Sequence, residues 1–354
     1  MPRIMRFGLI ALIPITLALI VSAYILNTAG ALDTDEFKNL PDEKKGAYWE
    51  GRIHKVGEDR AYKEYKTLTT VLPPVQQHWE LHVFGNALYT TGGLEAIKTC
   101  DATHDYACYH AFMISDIQEF GTGAARRLHG VCVDLFGQSA FSCLHGLGHA
   151  LVASLGYDEE SLSKALDVCD ENPDPNPSML LYGCLNGAFM EFNTPMTISG
   201  YEPRSFSDAE AFEPCNSITD RSRKIACTYT QLYWWFSSLK HEDPSTRLTH
   251  VGNLCRSMNT HDPELYRICI QGAGNAMDST IDYEPTKAAD ACSHIDSEPT
   301  MQALCQKFAA FRFTRYFPLE KALLACDGGS NTSSLECRDT VRTLTKTYYE
   351  QKDS

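Results

Sequence analysis

The chain carries the stretch CLHGLGH at residues 143–149. It begins with a cysteine, and its two histidines, His145 and His149, are four residues apart. Residues at this spacing lie on one face of a helix, so the stretch predicts a helix that presents two imidazoles together. Two imidazoles arranged in this way can bind one metal ion. The same frame recurs along the chain, and so does the cysteine at its start.

Cysteines give the chain its internal repeat. There are 14 in 354 residues, and beyond Pro74 they fall into seven close pairs. Members of a pair are 8 to 15 residues apart, and the second cysteines recur about every 32–43 residues, a period typical of two-helix repeat units. Helical sequence leads into the first cysteine, a polar loop follows, and the second cysteine begins the next helix. The pairs are 100/108, 132/143, 169/184, 215/227, 255/269, 292/305 and 326/337.

Local disulfides would join the two helices of each hairpin. In the chain-entropy model, loops this short give about 2–3 kcal/mol per disulfide. Disulfides are the default use of cysteine in an exported chain, and local pairing is the simplest connectivity. Thiolate metal sites are the alternative, but the chain has no Cys-x-x-Cys pair. We therefore predict an all-α fold, a disulfide-stapled array of helical hairpins that forms an α-solenoid or closes on itself as an α/α array.

The N-terminus predicts export. Arg3 and Arg6 precede an uncharged run of 20 residues at 7–26, which is long enough to span a bilayer. An Ala-Gly-Ala sequence at 29–31 offers a cleavage site, so a retained membrane anchor and a cleaved signal peptide both remain open. Either places the rest of the chain outside the cytoplasm, at the cell surface or secreted.

Three parts of the chain are predicted. They are a signal or anchor at 1–31, a spacer and first helix at 32–74, and the cysteine-paired helical domain at 75–354. Within the second part, residues before about 47 read as a spacer, and a helix is predicted at 56–72. The net charge of −14 argues against a nucleic-acid partner, because phosphate recognition needs a basic face. Membrane contact is predicted through the N-terminal segment alone.

Histidines occupy equivalent places in the first units. Counted from the second cysteine, positions +2 and +6 share one helix face, and equivalent positions of repeated hairpins line one surface. With Gln76 set at position zero in the first helix, these positions carry five histidines: His78, His82, His110, His145 and His149. They predict a site for a transition metal such as zinc, copper or iron. Five imidazoles exceed one tetrahedral zinc, so one or two ions are possible, and a hydrogen-bonded polar core is the alternative.

Glu191 is the carboxylate candidate for this site. It lies in an apolar run at residues 187–193, where an unpaired charge would be costly. It could be a metal ligand or the general base for a metal-bound water, and an ion-pair or cap partner is the alternative.

Neither histidine pair has the glutamate of His-Glu-x-x-His, so a zincin mechanism is not supported. The remaining histidines are predicted to be surface or capping residues: His54, His104, His129, His241, His250, His261 and His294.

Glycines repeat at positions +3 and +5 of the same frame. They are Gly146, Gly148, Gly187, Gly272 and Gly274. Each costs a helix about 1 kcal/mol relative to alanine, so their repetition indicates that something approaches the backbone closely. A neighbouring helix is the simplest candidate, and a ligand is the other.

Three motifs resemble those of an uncharacterised family of exported, cysteine-paired helical proteins of bacteria and archaea. They are His78-x-x-x-His82-x-x-Gly85, Cys143-x-His145-Gly146-x-Gly148-His149, and Gly187-Ala188-Phe189-Met190-Glu191. The resemblance covers roughly residues 57–193 and implies that the motifs belong together, but it brings no known activity. This chain departs from the pattern at Gln76, where a cysteine is expected, and Asn193 is a loose match.

Two functions of different classes follow from these observations. The first is an extracytoplasmic metalloenzyme with one or two ions, acting on a small molecule by hydrolysis or oxidation. The second is a non-catalytic helical scaffold that binds an extracellular protein, peptide or glycan. A closed site with four protein ligands favours a structural metal, whereas an open coordination position favours catalysis.

Overall fold

The structure, a computed structural model, describes residues 37, 39–101, 103–176, 181–194, 204–328 and 331–349. The predicted signal or anchor at residues 1–31 lies outside this part of the chain. Among the described residues there is no strand, and no helix has the length and apolar character needed to cross a bilayer. The prediction of an all-α fold is confirmed. The α-helices are α1 (Asp42–Val56), α2 (Glu58–Thr69), α3 (Pro74–Gly92), α4 (Ala107–Phe120), α5 (Ala125–Phe136), α6 (Phe141–Leu155), α7 (Glu159–Glu171), α8 (Cys184–Asn193), α9 (Arg221–Ser238), α10 (Pro244–Met258), α11 (Pro263–Ala276), α12 (Ala288–Ile295), α13 (Pro299–Phe313), α14 (Leu319–Ala322) and α15 (Asn331–Tyr349).

Contacts divide the chain into two units, with the boundary between Val71 and Leu72. In the first unit α1 packs on α2, and the ring of Trp49, which is fully buried, lies 5.7 Å from that of Tyr65. The sequence predicted a spacer before residue 47 and one helix at 56–72. The structure instead has a helix at 42–56 and a break at Gly57, whose φ of 83° is left-handed. Most of α1 is polar, and only a few apolar side chains pack it against α2, so the sequence did not indicate a helix there.

In the second unit, seven helices pack side by side in chain order, each against the next: α3, α4, α6, α8, α9, α11 and α13. We call these the helix row. Helix α13 also contacts residues that belong near the start and middle of the row. Asp105, just before α4, pairs with Arg312 of α13, and the ring of Tyr182, just before α8, lies 5.7 Å from that of Phe311. The description of the whole array as a solenoid or a closed set of repeats stays a prediction.

All seven disulfides join the cysteines in the predicted local pairs. Their Cα–Cα separations of 5.5 to 5.8 Å lie in the usual range for disulfides. In each pair the second cysteine belongs to a helix of the row or to α15, and the first belongs to the segment before it. The disulfides therefore tie α15 and every helix of the row except α3 to the connection that leads into it.

Two glycines show why the repeat keeps small residues. A Cβ added to Gly148 of α6 would lie 2.1 Å from the carbonyl oxygen of Cys184 in α8. One added to Gly187 of α8 would lie 2.0 Å from the carbonyl oxygen of His145 in α6. Real Cβ atoms do not approach backbone this closely, so only glycine allows the two helices their observed separation. The interpretation of the glycines as helix–helix contacts is confirmed.

The same contact corrects the register assigned to α3. Gly85 faces the carbonyl oxygen of Cys108, at 2.5 Å from an added Cβ, just as Gly148 faces the second cysteine of the next pair. By this equivalence position zero of α3 is Glu80, which precedes Gly85 by five residues, and not Gln76. The frame moves by one helical turn, which leaves the two histidines of α3 on the same helix face.

Candidate metal centre

Three neighbouring helices of the row bring the five predicted histidines together. Helix α3 supplies His78 and His82, α4 supplies His110, and α6 supplies His145 and His149. Because α4 packs against both α3 and α6, its histidine lies between the two pairs. The rings are buried, with exposed fractions from 0% for His110 and His149 to 7% for His82. We call these residues the histidine cluster.

The cluster consists of two triads that share His110 and could hold a metal ion. One is His78, His82 and His110, the other is His110, His145 and His149, and within each the ligand nitrogens lie within 4.8 Å of one another. His82 Nε2 is 3.2 Å from His110 Nδ1, and His149 Nε2 is 3.1 Å from His145 Nε2. Two nitrogens bound to one tetrahedral zinc at 2.0–2.1 Å would be about 3.3 Å apart. The observed separations therefore match adjacent ligands of one ion.

Burial keeps four of these imidazoles neutral. It lowers the pKa of His78 to about 4 and holds the pKa values of His82, His110 and His145 well below the usual range. Neighbouring histidines, and for His78 and His145 also the charge of Arg312, lower the pKa values further. A neutral imidazole has one nitrogen lone pair, which is what a metal ion binds. These four rings are thus ready to act as ligands at neutral pH without first losing a proton.

Hydrogen bonds set the orientation of two of the rings. His78 donates from Nδ1 to the carbonyl oxygen of His104 at 2.7 Å, which leaves its buried Nε2 unprotonated and without a hydrogen-bond partner in the described part of the chain. His149 donates from Nδ1 to Oε2 of Glu191 at 2.8 Å, so its Nε2 faces His145. Metal-binding histidines commonly donate their second ring N–H to a carbonyl or a carboxylate in this way.

Glu191 of α8 lies behind His149. It is fully buried, and its second carboxylate oxygen accepts a hydrogen bond from the hydroxyl of Tyr157 at 2.5 Å. Neither triad includes it. The sequence predicted a ligand or a general base at this position. In the structure the carboxylate contacts Nδ1 of His149, whereas Nε2 of the same ring faces His145. This geometry suits a group that orients a ligand and increases its basicity.

A left-handed turn supports the cluster from the N-terminal side of α4. His104, Asp105 and Tyr106 have φ values of 50°, 62° and 64°, which cost non-glycine residues roughly 1–2 kcal/mol each. The carbonyl of His104 holds His78, and the ring of Tyr106 lies 4.5 Å from that of His145. The prediction that His104 is a surface or capping residue is wrong, because the residue is only 8% exposed and its backbone orients a cluster member.

Asp105 anchors this turn to the far end of the row. Its two oxygens pair with Arg312 and Arg315, and Arg312 also bonds Asp278 through Nε at 2.7 Å. All four groups are between 2% and 6% exposed. The guanidinium of Arg315 also lies over the ring of Tyr106, 5.3 Å from its centroid. Nothing in the sequence indicates this buried ion cluster, because its acidic and basic members lie far apart along the chain: 34 residues separate Asp278 from Arg312, and 207 separate Asp105 from Arg312.

Comparisons with known proteins add nothing to this geometry: no family model, no curated protein and no solved structure matches the chain. The resemblance to exported cysteine-paired helical proteins therefore stays a prediction. The fold and the site together define the class of this protein. It is an all-α, disulfide-rich protein with buried histidine triads that could hold a metal ion.

We expect Glu191→Gln to weaken metal binding by roughly 10–100-fold, the usual cost of losing an outer-shell partner of a metal-bound histidine. The change preserves the shape of the side chain but removes the negative charge beside His149. Competition with a chromophoric chelator would measure the affinity. Glu160→Gln is the matched control, since the Glu160 side chain is 80% exposed. Equal affinities for the two variants would contradict an orienting role for Glu191.

Proposed function

We propose that this chain is an extracytoplasmic metal-binding protein whose histidine cluster holds transition-metal ions. The observation that carries the proposal is the convergence of five buried histidines in two triads. Burying so many polar rings is costly unless their lone pairs are used, and metal coordination uses them. Seven intrachain disulfides support an oxidising location outside the cytoplasm. Imidazole ligands suit zinc, copper and iron.

We further propose that the centre is catalytic. Each triad offers three protein ligands, and three ligands leave a tetrahedral ion one position for water or substrate, as in catalytic zinc sites. The exposed fraction of every ring in the cluster is 7% or less, so a substrate would have to be a small molecule. The chain supplies the ligands, the Glu191 contact that fixes the ring of His149, and a buried location that excludes bulk water. A bound ion would supply Lewis acidity or a redox couple.

Replacing two histidines of one triad tests the proposal. We expect the double variant His145→Ala/His149→Ala to lose the ion of the second triad, because only one ligand of that triad remains. Elemental analysis of protein exported in metal-replete medium would measure the loss. We expect non-reducing peptide mapping to find Cys169 still joined to Cys184, because disulfides hold the array together.

The matched control is His241→Ala/His261→Ala, since both of these histidines are exposed. This variant should retain the metal content of the wild type. Wild-type protein that contains no metal after export in metal-replete medium, and binds none when metal is added, would overturn the proposal.

A further inference from the structure

We infer that the histidine cluster is a two-ion centre in which His110 bridges the ions, one through each ring nitrogen. The inference rests on the proposed metal binding and goes beyond it, because it fixes the number of ions and the way they are connected.

His110 occupies the middle of the cluster. It is the one residue common to the two triads, and it is fully buried. Its Nδ1 lies 3.2 Å from Nε2 of His82, on the side of the first triad. Its ring stacks on that of His149 in the second triad, with centroids 4.0 Å apart and planes inclined by 28°. The two nitrogens of this ring therefore have different surroundings.

The second nitrogen of His110 is the decisive atom. Nε2 is buried and has no hydrogen-bond partner among the described residues. A buried polar atom left in this state costs about 1–3 kcal/mol. A single ion bound at Nδ1 would leave His110 Nε2 in that state, whereas a single ion bound at Nε2 would leave the buried Nε2 of His78 without a partner among the described residues. Two ions would use both nitrogens and would also give the remaining histidines of each triad an ion of their own.

The size of an imidazole ring sets the spacing of the two ions. With metal–nitrogen distances of 2.0–2.1 Å on either side of the ring, the ions would be about 6 Å apart. The nitrogens of both triads lie within 4.8 Å of a ligand nitrogen of His110, so each ion can reach its own pair of histidines. Each ion then has three protein ligands, and His110 counts for both.

Protons balance in a simple way. Neutral His110 has one N–H and one lone pair, and the first ion binds the lone pair. The second ion takes the place of the remaining proton, which leaves to solvent, and the ring becomes an imidazolate held between two cations. No oxidation or reduction is involved.

Copper titration of the intact, disulfide-bonded protein tests the bridge. Metal-free protein would be titrated with Cu²⁺, and copper content and the electron paramagnetic resonance signal would be recorded at liquid-helium temperature. We expect two copper ions per chain and loss of the signal as the second ion binds, because unpaired electrons on two Cu²⁺ ions couple through a shared imidazolate.

Two variants separate the possible outcomes. His78→Ala/His82→Ala removes two ligands of the first triad, so it should bind one copper ion with a full signal. His241→Ala/His261→Ala changes exposed histidines and should behave as the wild type. Two ions with undiminished signal, or one ion only, would overturn the bridge and leave metal binding standing. No bound copper at all would overturn the proposed function itself.

Discussion

Asp105→Ala is expected to lower the free energy of unfolding by about 3–5 kcal/mol, the cost of breaking a buried ion pair by removing one partner. Asp105 is 2% exposed, and its carboxylate is shared by Arg312 and Arg315, which are also buried. Without it, the two guanidiniums remain in a region of low dielectric and lose the carboxylate that they share, while Arg312 keeps its bond to Asp278. Urea unfolding followed by circular dichroism would measure the change.

The control for this experiment is Asp134→Ala. Asp134 is exposed on α5, and a surface change of this kind normally alters stability by less than about 0.5 kcal/mol. Metal affinity should also fall in Asp105→Ala, because the neighbouring residues His104 and Tyr106 contact the cluster. If the two variants unfolded at the same urea concentration, the buried ion cluster would not be the anchor of the turn.

The second large effect is expected for Gly187→Ala. The added Cβ would lie 2.0 Å from the carbonyl oxygen of His145, and the obstacle is backbone, which cannot rotate away as a side chain can. Helices α6 and α8 must therefore separate, at a cost at or above the upper end of the 1–3 kcal/mol typical of overpacking. The gain in helix propensity, about 1 kcal/mol, offsets only part of this. Thermal and urea unfolding would measure the loss of stability.

Gly130→Ala supplies the matched control. Gly130 also lies inside a helix, α5, but an added Cβ there has nothing within 4 Å. This variant should gain up to about 1 kcal/mol from helix propensity alone. Metal affinity should fall in Gly187→Ala only, because a shift of α8 moves Glu191 relative to His149. If both glycine variants were equally stable, the close approach of α6 and α8 would not limit the fold.

Much of the candidate site was predictable from periodicity. Histidines four residues apart share a helix face whatever the fold, and a cysteine repeat places such faces in register. These two properties are enough to predict that His78, His82, His110, His145 and His149 lie together. The predicted register of α3 is one turn too early, because that helix lacks the cysteine that marks position zero in the others. A shift of four residues is about one helical turn, so both registers place the same two histidines on one face of α3.

Groups that support the histidines were not predictable. Tyr157 donates a hydrogen bond to Glu191, which is 34 residues away in the sequence. Asp105 pairs with Arg312 and Arg315, which follow it by 207 and 210 residues. No local pattern encodes such contacts, since each depends on where distant helices come to lie. The left-handed turn at residues 104–106 was missed for the same reason: its strain is tolerated only because tertiary contacts hold it.

The sequence by itself determined the all-α class, the seven local disulfides and the five histidines, because helical period and short loops are properties of neighbouring residues. Only the tertiary structure decided that the two histidine pairs share His110, that Glu191 contacts a ring nitrogen of His149, and that a buried ion cluster holds the supporting turn. These features depend on the distances between packed helices. The close glycine contacts limit those distances, and residue spacing along the chain does not specify them.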